Sequence, residues 1–286
     1  MKKLILAAVG IFLMTIVLAG QTQDESQDES EHPQISQSSD EFVQSSASSI
    51  EILKKANFED RLERPGLGAV SQEKFESLVA EISKETPVKG VELGDRGKKY
   101  DVILQPGHYL RTTGKTGTRG KFVSERALAA YITNILAQRL RDDGDSVLVV
   151  SADHYLRPSS STQFDGLTSK IFLAIHLDGS PTPCKGKASL AYPKGLLPFS
   201  VHTVGFSLAE ALGYNPADFE LDNYTVNEAH YYMFSQVRAD RLVGLLEVGE
   251  LTCQPKERQF IASADLIAKN VAEALDYVVK LQAGTN

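Results

Sequence analysis

The sequence predicts an α/β fold: a central, largely parallel twisted sheet with helices on both faces. Three observations predict it. From residue 98 onward, short apolar runs rich in Val, Ile and Leu alternate with longer segments of helical periodicity. The runs are nearly continuous rather than alternating, the pattern of strands buried on both faces. Three of them end in polar groups, at the edge where open α/β sheets hold ligands.

The chain opens with Lys2 and Lys3, an uncharged apolar stretch over residues 4–18, and the small residues Ala19 and Gly20. This is the layout of a signal peptide over residues 1–20, and the apolar stretch is short for a membrane span, which takes about 20 residues. Export with cleavage is expected, and an uncleaved anchor is the alternative. Gln21 follows, so no cysteine is present there to carry a lipid. Residues 21–49 are rich in Ser, Gln, Asp and Glu and contain no Lys or Arg. Such a segment cannot bury enough apolar surface to offset ordering entropy and reads as a disordered acidic linker, with His32 a solvated side chain. Residues 50–97 form a short helical segment. Ser48 and Glu51 fit a capping box for its first helix. A second begins near Ser71, places Phe75, Leu78, Val79 and Ile82 on one face, and stops before Pro87.

Residues 98–283 form the main domain. Residues 100–104 are the first strand candidate. Leu128, Ile132, Ile135, Leu136 and Leu140 mark a helix that ends at Gly144. Strands follow at 146–150, 171–175 and 189–192. Val201, Val204, Leu208 and Leu212 suggest a helix closed by Gly213, residues 242–248 a further strand, and residues 261–282 a last helix with Ile267, Val271, Leu275 and Val278 inward.

The net charge of −7 supplies no basic field for nucleic acid. The two cysteines, Cys184 and Cys253, permit one disulfide in an exported chain, or remain two unrelated thiols. The chemistry concentrates at the strand ends. The first strand leads into Gln105-Pro106-Gly107-His108, the third into His176, and the last into Glu247. Glu125 opens the long helix after Ser124. Each residue has an ordinary alternative: a hydrogen-bonded surface histidine, a carboxylate complementing a helix dipole, a glutamate paired with an arginine. Together, two imidazoles and one carboxylate make a zinc set with a fourth position open. A further carboxylate, Glu247, is placed to carry a proton to a leaving amine. The set points to a zinc hydrolase acting on an amide or similar bond, with His108, Glu125 and His176 as metal ligands and Glu247 as the catalytic group.

These motifs resemble a known family. Gln105-Pro106-Gly107-His108, Glu125 opening a helix, Ala174-Ile175-His176-Leu177-Asp178 and Leu245-Leu246-Glu247-Val248-Gly249 look like the zinc-dependent N-acetylmuramoyl-L-alanine amidases with a type-3 catalytic domain. The resemblance covers about residues 100–281. It implies zinc on His108, Glu125 and His176 and catalysis by Glu247. It implies hydrolysis of the amide between N-acetylmuramic acid and L-alanine in peptidoglycan, in the periplasm or at the cell wall. It departs from the family pattern at Gln105, where Asp is usual, and at Tyr109-Leu110, where two glycines are usual. It departs again at Asp178, usually Asn, and at Glu250, usually Phe or Tyr. The stretch 157–170 is shorter than usual and lacks the family's second arginine. The expected partners are peptidoglycan and a regulatory protein, with no nucleic acid, and the chain is expected to act as a monomer.

The loop 109–123 carries Arg111, Lys115, Arg119 and Lys121 among glycines, and either grips an anionic glycan or stem-peptide carboxylate or is a mobile surface loop. It is no phosphate loop, because no Gly-Lys-Ser/Thr opens the next helix. His202 reads as structural, His230 as groove wall or core, and His154 as one more imidazole. Two other functions compete with the amidase: a zinc peptidase on other peptides, and a cell-wall-binding or regulatory protein with a decayed site.

Overall fold

The computed structural model describes residues 51, 57–58, 61–64, 70–85, 87–92, 94–111, 116–151, 164–193, 199–221, 231 and 233–281. All lie in one compact unit, Ser36–Asn286. The expected signal peptide and acidic linker, and the Ser48-capped helix apart from Glu51, fall outside the described residues.

Helix α1 (Gln72–Ser83) starts where its cap predicts. The Ser71 hydroxyl accepts the Lys74 N–H, and Phe75, Leu78 and Ile82 are buried. The main domain then runs β1 (Lys99–Pro106), α2 (Glu125–Asp142), β2 (Val147–Val149), β3 (Leu167–Asp178), β4 (Ser189–Ala191), α3 (Phe199–Leu212) and β5 (Glu220–Leu221). It finishes with α4 (Met233–Gln236), β6 (Val237–Glu250), α5 (Gln254–Ala262) and α6 (Ala264–Lys280). The described strands form one six-stranded sheet in the order β2-β1-β3-β6-β4-β5. β2, β1, β3 and β6 are mutually parallel, and β4 runs antiparallel to β6.

Side-chain alternation along the strands divides the interior into two layers. Val102, Leu104, Ile171, Leu173, Ile175, Leu242 and Leu246 face the apolar stripes of α2, α3 and α6. Ile103, Phe172, Ala174 and Leu245 face the other way, onto Phe164, Tyr231 and, from the short α4, Met233. The parallel sheet and its helical cover agree with the predicted class, and among the described residues the long helices pack on the first of these layers.

Two element boundaries differ from the sequence expectation. β3 and β6 are longer than their apolar runs, because Thr168, Ser169 and Lys170 at one start and Arg238, Asp240 and Arg241 at the other extend the pairing with polar side chains. The last helix is two helices. The chain turns at Ser263, with φ −106° and ψ 9°, and α5 starts seven residues earlier than expected. Pro255 marks that start, since its fixed φ suits a first helical turn and its missing N–H needs no partner there. Among the described residues, no helix is long and apolar enough to cross a membrane.

Candidate metal centre

Three elements deliver three ligand-type side chains to one point at the C-terminal edge of the sheet. His108 sits in the turn after β1, with φ 55°, a conformation uncommon for a residue with a Cβ. The turn is held by the Gly107 N–H to Ile175 O at 2.8 Å and the Arg111 N–H to His108 O at 3.1 Å. Glu125 is the first residue of α2, behind the Ser124 cap, whose hydroxyl accepts the Ala127 N–H at 3.2 Å. His176 lies near the end of β3.

Glu125 Oε1 stands 3.3 Å from His108 Nε2 and 3.0 Å from His176 Nδ1. It also accepts the Leu177 N–H at 3.3 Å, while Oε2 accepts the Thr118 N–H at 2.7 Å. Burial alone would raise the Glu125 carboxyl. Hydrogen bonds from His108 and His176 outweigh it and hold the group far below the usual carboxylate range. Gly117 closes the loop above this carboxylate at φ +91°. A Cβ there would lie 2.8 Å from Glu125 Oε2 and 2.9 Å from His108 Cδ2, so only glycine lets the backbone approach this closely.

The donor set fits a metal ion. One ligand atom from each of His108, Glu125 and His176 lies within 4.8 Å of the others. Tetrahedral zinc with bonds of about 2.0–2.1 Å places neighbouring ligand atoms roughly 3.3 Å apart, close to both measured separations. The other ring nitrogen of His176, Nε2, is buried and has no hydrogen-bond partner among the described residues, so it takes no part in this spacing. Two imidazoles and a carboxylate are the chemistry of a three-ligand site.

Glu247 is not part of this cluster but its neighbour. In the parallel pairing of β3 with β6 it stands in register with His176. Adjacent strands lie about 4.8 Å apart, and both residues belong to the sheet face that carries Tyr231, whose ring packs edge-on against His176 at 5.9 Å. Gln105, one turn before His108, is wholly buried. It accepts the Tyr231 hydroxyl and donates to Ser151 O at 3.1 Å. A polar network therefore stands at the position where the resembled family usually has Asp.

Among the other candidates, His202 is buried within α3, and burial lowers its pKa to about 4. His154, His230 and Lys115 fall outside the described residues. Of the cationic loop, residues 121–123 are tied by their backbone N–H groups to the Glu257 carboxylate. Arg111 is buried against His108. Cys184 and Cys253 form a disulfide, with Cα atoms 4.7 Å apart, joining the segment after β3 to the start of α5. Glu250 supports that junction by accepting from the Cys184 N–H at 2.8 Å, the Gly186 N–H at 2.7 Å and the Thr252 hydroxyl at 2.7 Å. Sequence reasoning missed Arg111, Gly117, Glu250 and Glu257 as parts of the site's frame. Two of them carried a signal of another kind, Arg111 as a member of the cationic loop and Glu250 as a departure from the family pattern, whereas Glu257 lay ahead of the expected start of the last helix.

No protein-family model matches this chain, and no curated protein matches it. Among solved structures it is similar to Cwp6 from Clostridium difficile at a TM-score of 0.50 and 12% identity, over 64% of this chain and 30% of that one. It is similar to the N-acetylmuramoyl-L-alanine amidase from Clostridium difficile 630 at a TM-score of 0.46 and 18% identity, over 63% of this chain and 96% of that one. The catalytic domain of CwlV, an N-acetylmuramoyl-L-alanine amidase from Bacillus (Paenibacillus) polymyxa var. colistinus, gives a TM-score of 0.48 and 16% identity, over 64% of this chain and 99% of that one. At such identities the likeness to Cwp6 is one of fold.

Proposed function

We propose that this chain is an exported, zinc-dependent N-acetylmuramoyl-L-alanine amidase that cleaves the bond between N-acetylmuramic acid and L-alanine in peptidoglycan. The observation that carries the reading is the meeting of His108, Glu125 and His176 around one point, with Glu247 in register beside His176. The four motifs that resemble the amidase family hold these same four residues, and the apolar leader at the N-terminus suits a substrate outside the cytoplasmic membrane.

Bound zinc supplies Lewis acidity, which polarises a carbonyl and makes a water molecule acidic near neutral pH. The protein's part is to place the groups. The Thr118 and Leu177 N–H groups orient the Glu125 carboxylate, and the Gly107–Ile175 bond fixes the turn that carries His108. Glu247, held on a central strand, takes a proton from the attacking water and returns it to the departing amine of L-alanine. The amide C–N bond breaks, and the products are a muramic carboxylate and a free N-terminal alanine.

The test pairs wild type with Glu247→Ala on purified peptidoglycan. Wild type with stoichiometric zinc releases new N-terminal alanine, while Glu247→Ala keeps its zinc and loses turnover by at least 10²-fold, the lower range for a positioned acid–base group. Cleavage inside the stem peptide would move the reading to a peptidase, and normal turnover by the variant would sink the role of Glu247.

A further inference from the structure

Glu257 is fully buried, a costly place for a carboxylate unless donors surround it. They do. Its Oε2 accepts the Lys121 N–H at 2.8 Å, and its Oε1 accepts the Phe122 N–H at 2.8 Å and the Val123 N–H at 3.0 Å. These three consecutive amides belong to the strap that runs into Ser124 and Glu125. Glu257 itself stands in the first turn of α5, its own N–H bonded to Cys253 O at 2.9 Å.

The strap is therefore pinned at two places. At one, Glu125 Oε2 accepts the Thr118 N–H at 2.7 Å and the Glu125 N–H returns to Thr118 O at 3.0 Å. At the other, a carboxylate from more than 130 residues further along the chain gathers the amides just before the α2 cap. Between them, the Gly120 N–H to Val123 O bond at 3.0 Å closes the turn. Gly120 leaves room for this arrangement, because a Cβ there would lie 2.2 Å from Glu257 Oε1. The strap lacks regular secondary structure over residues 116–123 apart from a single bridge between Arg119 and Ser124, so hydrogen bonds to its amides are what hold its course into α2.

We propose that Glu257 is a positioning residue for Glu125. By gathering the amides of residues 121–123 it fixes the start of α2, and through it the point at which the Glu125 carboxylate meets His108 and His176. The inference rests on the proposed function, in that Glu125 is taken as a metal ligand.

The test measures zinc affinity by competition with a chelator, alongside thermal stability and backbone amide exchange of the metal-free protein. Glu257→Gln keeps the shape of the side chain but turns a donor toward the Lys121 N–H. Ile261→Val, at a fully buried residue in the last turn of the same helix, is the control for general loosening of α5. We expect Glu257→Gln to weaken zinc binding by about tenfold or more, the usual effect of losing a group that orients a ligand. Amide exchange over residues 118–123 should accelerate with it. Ile261→Val should lower Tm and leave zinc affinity within twofold. Should Glu257→Gln fail to fold, Gly120→Ala displaces the same carboxylate from the strap side and is expected to weaken zinc binding alike. Wild-type zinc binding with unchanged affinity in the Glu257 or Gly120 variant overturns the inference and leaves the proposed function standing. So does a loss of affinity no greater than that of the control at equal loss of Tm. A wild-type protein that holds no zinc overturns both.

Discussion

Arg111 Nη1 lies 3.2 Å from His108 Nδ1, on the side of the ring away from Glu125. A guanidinium only donates, so in this arrangement Nδ1 accepts and the ring proton belongs on Nε2, facing the Glu125 carboxylate. A metal at Nε2 would require the opposite order, with the proton on Nδ1 facing a second donor, so Arg111 in this position would oppose it.

Replacing Arg111 by Gln withdraws the guanidinium donor from Nδ1 and leaves a shorter side chain whose carbonyl oxygen can accept from Nδ1–H, directly or through a water. The expected outcome is zinc binding tightened about tenfold, equal to about 1.4 kcal/mol, within the range for the net worth of one hydrogen bond. Chelator competition with both proteins in one buffer measures it. Weaker binding by Arg111→Gln would mean that Arg111 turns away on metal binding and does other service.

How much of this was legible beforehand depends on the range of each interaction. The strands announced themselves through local apolar runs, and the strand-end rule located His108, His176 and Glu247 without any knowledge of pairing. Register then did what no local pattern encodes, setting Glu247 beside His176 across β3 and β6. The frame stayed hidden because its bonds are distant in sequence. Glu257 reaches residues 121–123, and Glu250 reaches Cys184 and Gly186, by contacts that only the folded chain defines. The disulfide was open for the same reason, since two cysteines 69 residues apart declare nothing about their Cα separation.

That disulfide closes a long loop, and its removal should be felt mainly in the unfolded chain. For a separation of 69 residues the chain-entropy model gives about 4 kcal/mol. Substituting both cysteines by Ser is expected to lower stability by roughly that amount, read as a shift of the urea midpoint at constant slope. Zinc content should be unchanged, because neither cysteine belongs to the cluster and Glu250 still accepts from the amides of residues 184 and 186. An equal midpoint for the paired variant and for wild type would show that the bridge does not restrain the chain in solution.

His202 makes stability depend on acid. Burial lowers its pKa from 6.5 to about 4 in the folded protein, while the unfolded chain keeps the ordinary value. Between these two values the unfolded state binds the proton and the folded state does not, so unfolding is drawn forward as the pH falls. The contribution is fully present above pH 6.5 and lost progressively down to about pH 4, amounting to about 3 kcal/mol for a shift of this size. Asp145 acts in the opposite sense. Burial first, then Asp276 and Asp101, raise it to about 6, so its contribution favours the fold at low pH and is lost as the pH rises through that value. The two effects overlap in the wild type, and the difference between wild type and His202→Gln separates them. Urea unfolding of both proteins from pH 4 to pH 7 should show wild type losing about 3 kcal/mol more than the variant on acidification. Parallel curves would mean that the imidazole acquires its proton inside the fold, with a partner in α3 or against it that stabilises the cation.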